Sequence, residues 1–292
     1  MPAGVLLAWP RLSTTGTRMQ GPSALGGSFR RFAELTLTLA RTEFKLRYFG
    51  SVLGYVWSLL RPLLFFGVLY LFFTKVVHIA RGPHYGVYLL TGIVLWTYFA
   101  EATGNCVACL VAREAMLRKI RFPRMAIPLS VSLTAIFNLA LNLCVVIVFA
   151  LADGVKPTVG WLELIPIVLG FTVLGTGLGM LLSALYVRFR DVQPIWDVVI
   201  QAWFYGSPIM YTASEYPHRF GVGIAHFALV SPPATLLAQM GHALIDPAGY
   251  PSAAAAAHSH LSPLVAVALI PCVFALGWWV FTREAPRVAE EL

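Results

Sequence analysis

Residues 126–151 read AIPLSVSLTAIFNLALNLCVVIVFAL, a run of 26 residues without a charged side chain. A helix that crosses a membrane needs about 20 mostly apolar residues, so this run predicts a spanning helix. The whole chain agrees, because 58% of its residues are hydrophobic and 12% are charged, whereas soluble domains carry about 25% charged residues. With a mean hydropathy of +0.75, the composition indicates a membrane protein and excludes a soluble globular domain.

Five other runs reach the length of a span, so the sequence predicts an all-α membrane protein with six transmembrane helices. The six predicted spans cover residues 54–74, 87–110, 126–151, 161–187, 194–212 and 261–282.

The basic residues predict the orientation of these spans. Sixteen Lys and Arg residues fall in segments on the side of the N-terminus, four fall on the other side, and Arg61 lies within a span. Because Lys and Arg are enriched in cytoplasmic segments, we expect a multi-pass protein of the bacterial inner membrane with both termini in the cytoplasm. This distribution explains the net charge of +8 without nucleic acid as a partner.

Two segments with different properties precede the first span. Residues 1–28 are rich in Gly, Ser, Thr and Pro and predict a disordered leader. Residues 29–49 place most polar side chains within an arc of about 120° at helical spacing, which favours an amphipathic helix on the inner membrane surface. Glu43 and Arg47 break this pattern. The alternative is a basic tail held by anionic lipid.

The segment between the fifth and sixth spans contains two short apolar runs, residues 220–229 and 233–245. Each is too short to cross a membrane. We expect two short re-entrant helices that dip into the outer leaflet; the alternative is that they cap the outer surface.

Three ionisable residues lie within the predicted spans, all towards the inner side: Arg61, Glu101 and Asp197. A charge in hydrocarbon costs about 2.5–3.5 kcal/mol on insertion scales, so a partner or a wet cavity is expected. One hypothesis pairs Arg61 with Glu101 or Asp197 at the inner mouth of a transport path. The alternative is that Arg61 reaches the headgroups alone.

Aromatic and small residues in the spans carry two weaker signals. Trp96 and Trp203 lie deep enough to line a channel in which sugars stack on their rings, although an interfacial belt is the commoner origin of such residues. Gly175 and Gly179 form a small-xxx-small pair that predicts close helix packing. The four cysteines lie in apolar stretches and are interpreted as small helix residues.

Residues 112–124, AREAMLRKIRFPR, form the most charged stretch and lie on the inner side. They either set topology only or form a short helix that docks on a soluble partner; the coupling candidates are Glu114, Arg118, Lys119 and Arg121. No G-x-x-x-x-G-K-[ST] phosphate loop occurs in the chain. We therefore expect that this chain is not an enzyme and binds no cofactor.

Several motifs resemble the membrane subunits of type-2 ABC transporters that export O-antigen, capsule or teichoic acid. The run 44–62, FKLRYFGSVLGYVWSLLRP, is similar to the start of the first span in that family. Further similarities are RFRDV at 188–192, SPIMY at 207–211 and a basic K-I-x-x-P loop at 119–123. The matching positions are Arg47, Tyr48, Ser51, Leu53, Gly54, Trp57, Pro62, Arg190, Asp191, Pro208, Tyr211, Lys119, Ile120 and Pro123. The leader and Arg61 depart from the family pattern.

The resemblance implies one permease domain over residues 29–292 and a homodimer that works with a separate ABC ATPase, which would hold ATP and Mg. It also implies that the surface helix, with Arg41 and Lys45, and the loop after the second span contact that ATPase. The cargo would be a lipid-linked glycan, and the dipping helices would form an outer gate. Alternatives are a drug or small-lipid exporter on the same frame, a membrane-embedded glycosyl- or acyltransferase, or a passive channel.

Overall fold

The computed structural model describes residues 29–48, 54, 56–78, 82–119, 123–245 and 249–284. Within these ranges every regular element is helical. The predicted leader 1–28 lies outside them, as do Ser51, Leu53, Ile120 and Arg121. The helices are α1 (Phe29–Tyr48), α2 (Val56–Leu71), α3 (Tyr85–Val107), α4 (Glu114–Lys119), α5 (Ala126–Ala152), α6 (Leu164–Arg188), α7 (Val192–Gly206), α8 (Glu215–Phe220), α9 (Val222–Val230), α10 (Pro232–Leu244), α11 (Ala253–Ala256) and α12 (Leu261–Glu284).

Among the described residues, helices α2, α3, α5, α6, α7 and α12 pack together in one bundle. At one end, which we call the basic end, Phe32 of α1 and Leu117 of α4 pack with Met180 of α6 and Phe281 of α12. At the opposite end, the start of α3 contacts the residues that follow α7, and α10 contacts the segment before α6. The prediction of an all-helical chain is confirmed for the described residues.

In the part of the chain that the structure describes, four helical segments are long and apolar enough to cross a membrane. They are Val56–Val76, Ala126–Ala152, Val159–Arg188 and Leu261–Glu284.

Helix α3 is less apolar than these four segments because it is the central helix of the bundle. Eighteen of its 23 residues are buried, and it packs against α2, α5, α6 and α7. Its polar groups are satisfied inside the bundle: the Tyr98 hydroxyl lies 2.8 Å from Thr172 Oγ1 of α6, and the Thr103 hydroxyl donates to Phe99 O. A helix covered by protein does not need a uniformly apolar surface.

Helix α7 is shorter than predicted, ending at Gly206 rather than near residue 212. Ser207 adopts an extended backbone, with φ −98° and ψ 150°, because the ring of Pro208 disfavours the helical conformation of the residue before it. The chain continues as an irregular segment, residues 207–211, along the start of α3.

Glycines allow α6 to approach two neighbours closely, as the small-residue pattern predicts. A Cβ at Gly179 would lie 2.9 Å from the Cys106 side chain of α3, and one at Gly175 would lie 3.6 Å from Ala102 Cβ. On the other side of α6, a Cβ at Gly177 would lie 2.6 Å from Phe274 Cα of α12. The small-xxx-small pair Gly175 and Gly179 thus faces α3, whereas Gly177, which lies outside that pair, faces α12.

Helix α1 covers residues 29–48 of the stretch predicted as an amphipathic helix, and the structure adds what its apolar face contacts. Phe32, Thr36 and Ala40 are buried at intervals of four residues, and α1 packs along α5. One face of α1 therefore packs on the bundle, and the remaining surface is exposed, including the apolar side chains of Phe29 and Leu46.

The segment between α7 and α12 contains the two predicted short helices, α9 and α10, and two further turns of helix, α8 and α11. Helix α10 is almost wholly buried, whereas α9 exposes Ile224 and Phe227. These helices cover the opposite end of the bundle.

Candidate coupling site at the basic end

The contact between α1 and α5 is close enough for a side chain to reach the α1 backbone. Thr134 of α5 is buried, and its hydroxyl lies 3.3 Å from Ala40 O and 2.9 Å from Ser130 O. Small residues such as Ala40 permit this approach. The position of α1 along α5 is thus set by packing within the described bundle.

Glu43 of α1 forms an ion pair with Arg113, which lies in a short 3₁₀ turn immediately before α4. The Thr134 hydroxyl also lies 3.5 Å from Glu43 Oε2. Both charged side chains are largely buried, and burial lowers the pKa of the Arg113 guanidinium. The carboxylate beside it offsets this penalty on the charged form.

Arg47, one helical turn further along α1, forms an ion pair with Glu101 of α3. Asn138 of α5 is buried and donates to the same carboxylate oxygen, with Nδ2 2.9 Å from Glu101 Oε1. Three helices therefore meet at Glu101. We call the two contacts, Glu43–Arg113 and Arg47–Glu101, the crossed ion pairs, because α1 contributes an acid to one and a base to the other.

The sequence contained a signal for these pairs. Glu43 and Arg47 are the two residues that break the polar arc of α1, and the structure shows why: they face the bundle. A charge on the wrong face of an amphipathic helix is expensive unless a partner meets it, so the two exceptions marked the positions of contact.

The structure corrects the predicted partner of Glu101. Arg61 is exposed on α2, and it forms no ion pair with another described residue. The next residue, Pro62, is buried and lines a small cleft with Glu101 and Asn138. The Arg61–Glu101 pair is therefore wrong, because α2 turns Pro62 rather than Arg61 towards α3. Asp197 is exposed on α7 and likewise forms no ion pair within the described ranges.

Trp96 and Trp203 pack against each other inside the bundle, with ring centroids 6.3 Å apart. Phe99 and Phe204 complete the cluster, and the Trp203 indole N–H donates to Ser231 Oγ at 2.8 Å. Trp96 is 6% exposed. In this conformation Trp96 belongs to the packed interior and does not line a passage, because rings from α3 and α7 fill the space between these helices.

The other coupling candidates lie near the crossed ion pairs. Arg41 and Lys45 are exposed on α1, and α4 begins at Glu114. Arg118 and Lys119 belong to α4, but their side chains lie outside the described part of the structure, as does all of Arg121. The residue that connects this segment to α1 is Arg113, which the sequence analysis did not select.

The motif positions at the two ends have different surroundings. Gly54 precedes α2 with φ 48°, and Trp57 is half exposed at the start of α2. At the α6–α7 turn, Arg190 and Asp191 are exposed, and the Arg190 guanidinium lies 5.1 Å from the Tyr186 ring centroid.

At the opposite end, tyrosine hydroxyls bind the backbone around Pro208 and Tyr211. Tyr88 donates to Pro208 O and, at 3.2 Å, is within reach of Tyr211 O. Tyr85 donates to Met210 O at 2.7 Å, and Tyr216 donates to Gly206 O at 2.7 Å. These bonds supply donors for the backbone carbonyls at and after the end of α7, which have no partner within the helix. The spacing of residues in the sequence does not indicate them.

The remaining reactive side chains form no site of their own. Cys106 and Cys109 are free and buried. Across the ranges that the structure describes, no group of three His, Cys, Asp or Glu side chains is placed to hold a metal ion.

Comparison with known proteins supplies a family. Residues 34–238 match the family described as ABC-2 type transporter. The chain is 32% identical over 199 residues to the O-antigen export system permease protein RfbA of Klebsiella pneumoniae, covering 68% of this chain and 76% of that protein. It is 33% identical over 189 residues to the protein of the same name from Myxococcus xanthus, covering 63% of this chain and 70% of that protein.

Proposed function

This chain belongs to the ABC-2 type transporter family, and from that premise we propose that it is the membrane subunit of an ATP-driven polysaccharide exporter. The observation that carries the proposal is the extended similarity to permeases named for O-antigen export. The cargo would be a lipid-linked glycan that crosses the inner membrane.

We propose six membrane spans, with both termini in the cytoplasm. The support for six is that α3, whose polar groups are satisfied by its neighbours, and α7 pack in one bundle with the four long apolar segments. The 15 residues of α7 extend about 22 Å, and the segment 207–211 adds to that length. The basic residues concentrate at the end that carries α1 and α4, which favours the cytoplasm for that end.

Energy for transport would come from a separate ABC ATPase. Its docking surface would combine the exposed side of α1, with Arg41 and Lys45, and α4 with the following loop, including Glu114, Arg118, Lys119 and Arg121. ATP binding would move these elements, and a transport cycle requires that the ATPase bind two conformations of them with different affinity.

The path for the glycan would lie between two copies of the chain. Helices α2 and α7 meet at Phe65 and Phe204, whose ring centroids are 5.8 Å apart. Both expose apolar side chains, among them Val68 of α2 and Val198 of α7. A second copy or lipid would cover these faces.

Helices α9 and α10 would dip into the outer leaflet as the outer gate, with Ile224 and Phe227 in contact with lipid.

The proposal is tested by deleting the gene and analysing the lipid-linked glycans that remain inside the cell. We expect one glycan to accumulate in the cytoplasmic leaflet and to disappear from the cell surface, and re-expression should restore export. An unchanged distribution of every lipid-linked glycan would contradict the proposal.

The ATPase contact is tested by reversing Arg118, Lys119 and Arg121 to Glu together. We expect loss of export and loss of co-purification with the ATPase, with normal membrane insertion. The matched control reverses Lys75 and Lys156, two basic residues predicted to lie on the opposite side of the membrane. Export at the normal level in the first variant would refute the docking role of this loop.

A further inference from the structure

We propose that Glu43, Arg47, Glu101 and Arg113 are positioning residues that join α1 to α3, so that a displacement of α1 and α4 by the ATPase is passed to the centre of the bundle. This inference rests on the proposed export function. It assigns a role to the crossed ion pairs that neither the family match nor the names of the relatives contain.

The first argument is geometric. Glu43 and Arg47 are four residues apart on α1 and therefore lie on one face, one turn apart. Their partners belong to two different elements, since Glu101 lies in α3 and Arg113 lies in the turn before α4. Besides the packing of α1 along α5, these two contacts to different elements therefore resist both a shift and a change of direction of the helix.

The second argument concerns the order of the charges. A slide of α1 by one turn, about 5.4 Å, would bring Arg47 next to Arg113, or Glu43 next to Glu101, depending on its direction. Either shift places like charges together away from bulk water, which is repulsive. The opposite signs thus favour the same register of α1 that its packing along α5 sets.

The third argument is burial. The exposed fraction of the four side chains ranges from 20% to 36%, so each charge is partly desolvated and depends on its partner. By contrast, Arg30 and Glu34 also form an ion pair on α1, 2.9 Å apart, with exposed fractions of 89% and 63%. That exposed pair connects α1 only to itself and provides a control on the same helix.

The fourth argument is where the contact leads. Glu101 is held by Arg47 and by Asn138 of α5, so α1, α3 and α5 share one carboxylate. Helix α3 in turn packs against α2, α5, α6 and α7. A force applied to α1 therefore reaches the helix that contacts most of the proposed spans.

The test is charge reversal, applied singly and in pairs. The variants are Glu43→Arg, Arg113→Glu and both together, then Arg47→Glu, Glu101→Arg and both together. Each is measured for surface glycan and, with the ATPase bound, for ATP hydrolysis in detergent or nanodiscs. The control is Arg30→Glu with Glu34→Arg.

We expect each single reversal to lower export at least tenfold while ATP hydrolysis persists, because the ATPase still turns over but no longer moves α3. Each double reversal should recover at least a third of wild-type export, and the control should export normally. Normal export in the single variants would overturn the proposal, as would double variants no better than the worse single one.

Reversed charges can prevent folding, so the neutral variants Glu43→Gln, Arg113→Gln, Arg47→Gln and Glu101→Gln provide a second route. Their double-mutant cycles are measured by thermal unfolding and by the ratio of export to ATP hydrolysis. Non-additive changes in that ratio support the proposal, and additive changes refute it. If wild-type protein exports no glycan, the proposed function fails, whereas coupling between α1 and α3 in the unfolding cycle is still measured.

Discussion

Replacing Gly177 by Ala should push α6 and α12 apart, and the structure sets the size of the effect. The new methyl group would lie 2.6 Å from Phe274 Cα and 2.9 Å from Phe274 N. Both are backbone atoms, so no side-chain rotation can make room. Carbon atoms in contact are ordinarily about 3.5–4.0 Å apart, and the two helices must therefore separate by about 1 Å along their contact.

The energetic consequence follows from close packing. A gap of 0.5–1 Å removes a quarter to a half of the attraction at each contact it opens, and overpacking of a core costs about 1–3 kcal/mol. Because α6 and α12 share the most extensive helix contact in the described bundle, we expect Gly177→Ala to lower the free energy of unfolding by about 3 kcal/mol. Gly175→Ala, two residues away on α6, places its Cβ at an ordinary 3.6 Å from Ala102 Cβ, and it gains the same helix propensity, about 0.5–1 kcal/mol.

The assay is thermal unfolding of both variants, purified in the same detergent. At about 2 °C per kcal/mol, we expect Gly177→Ala to unfold about 6 °C below Gly175→Ala. If the two midpoints agree within about 1 °C, the contact between α6 and α12 is not as close as described, and the reasoning is refuted.

Two further substitutions test the hydrogen bonds of the opposite end and the interior. Tyr88→Phe removes the donor to Pro208 O, so we expect the free energy of unfolding to fall by about 1–3 kcal/mol, measured by thermal unfolding. The control is Tyr186→Phe, which should leave the unfolding midpoint unchanged because the Tyr186 ring lies against Arg190 at the α6–α7 turn. Trp203→Phe removes the donor to Ser231 and should lower the free energy of unfolding by about 1–3 kcal/mol. Adding Ser231→Ala to this variant should lower it little further. If the second substitution costs as much as it does alone, the hydrogen bond between Trp203 and Ser231 is contradicted.

Sequence patterns predicted the helices well because hydropathy and length carry that information directly. The end of α7 was misplaced because the apolar run continues to Tyr211, although Pro208 stops the helix. The period of residues 29–48 predicts the amphipathic helix, but it does not explain the two exceptions, Glu43 and Arg47.

The partners in the site were not predictable in the same way. Arg61 was the most conspicuous charge within a span, yet Glu101 pairs with Arg47, a residue on a helix outside the spans. Pairing depends on which side of α2 faces α3 and on where α1 lies along α5. Both are set by packing across distant parts of the chain, as is the burial of Trp96, and no local pattern encodes them.

The burial of α3 has a consequence for how the protein is made. The ribosome completes α3 before it begins α5 and α6, which supply Asn138 for Glu101 and Thr172 for Tyr98. Arg47 is made before α3 and can already meet Glu101, but until α5 and α6 emerge the hydrogen bonds from Asn138 and to Thr172 are missing, at a cost of about 1–3 kcal/mol for each buried group left without its partner. In the proposed six-span arrangement, the central helix would therefore reach its final packing only after the synthesis of α5 and α6, although it is made before them.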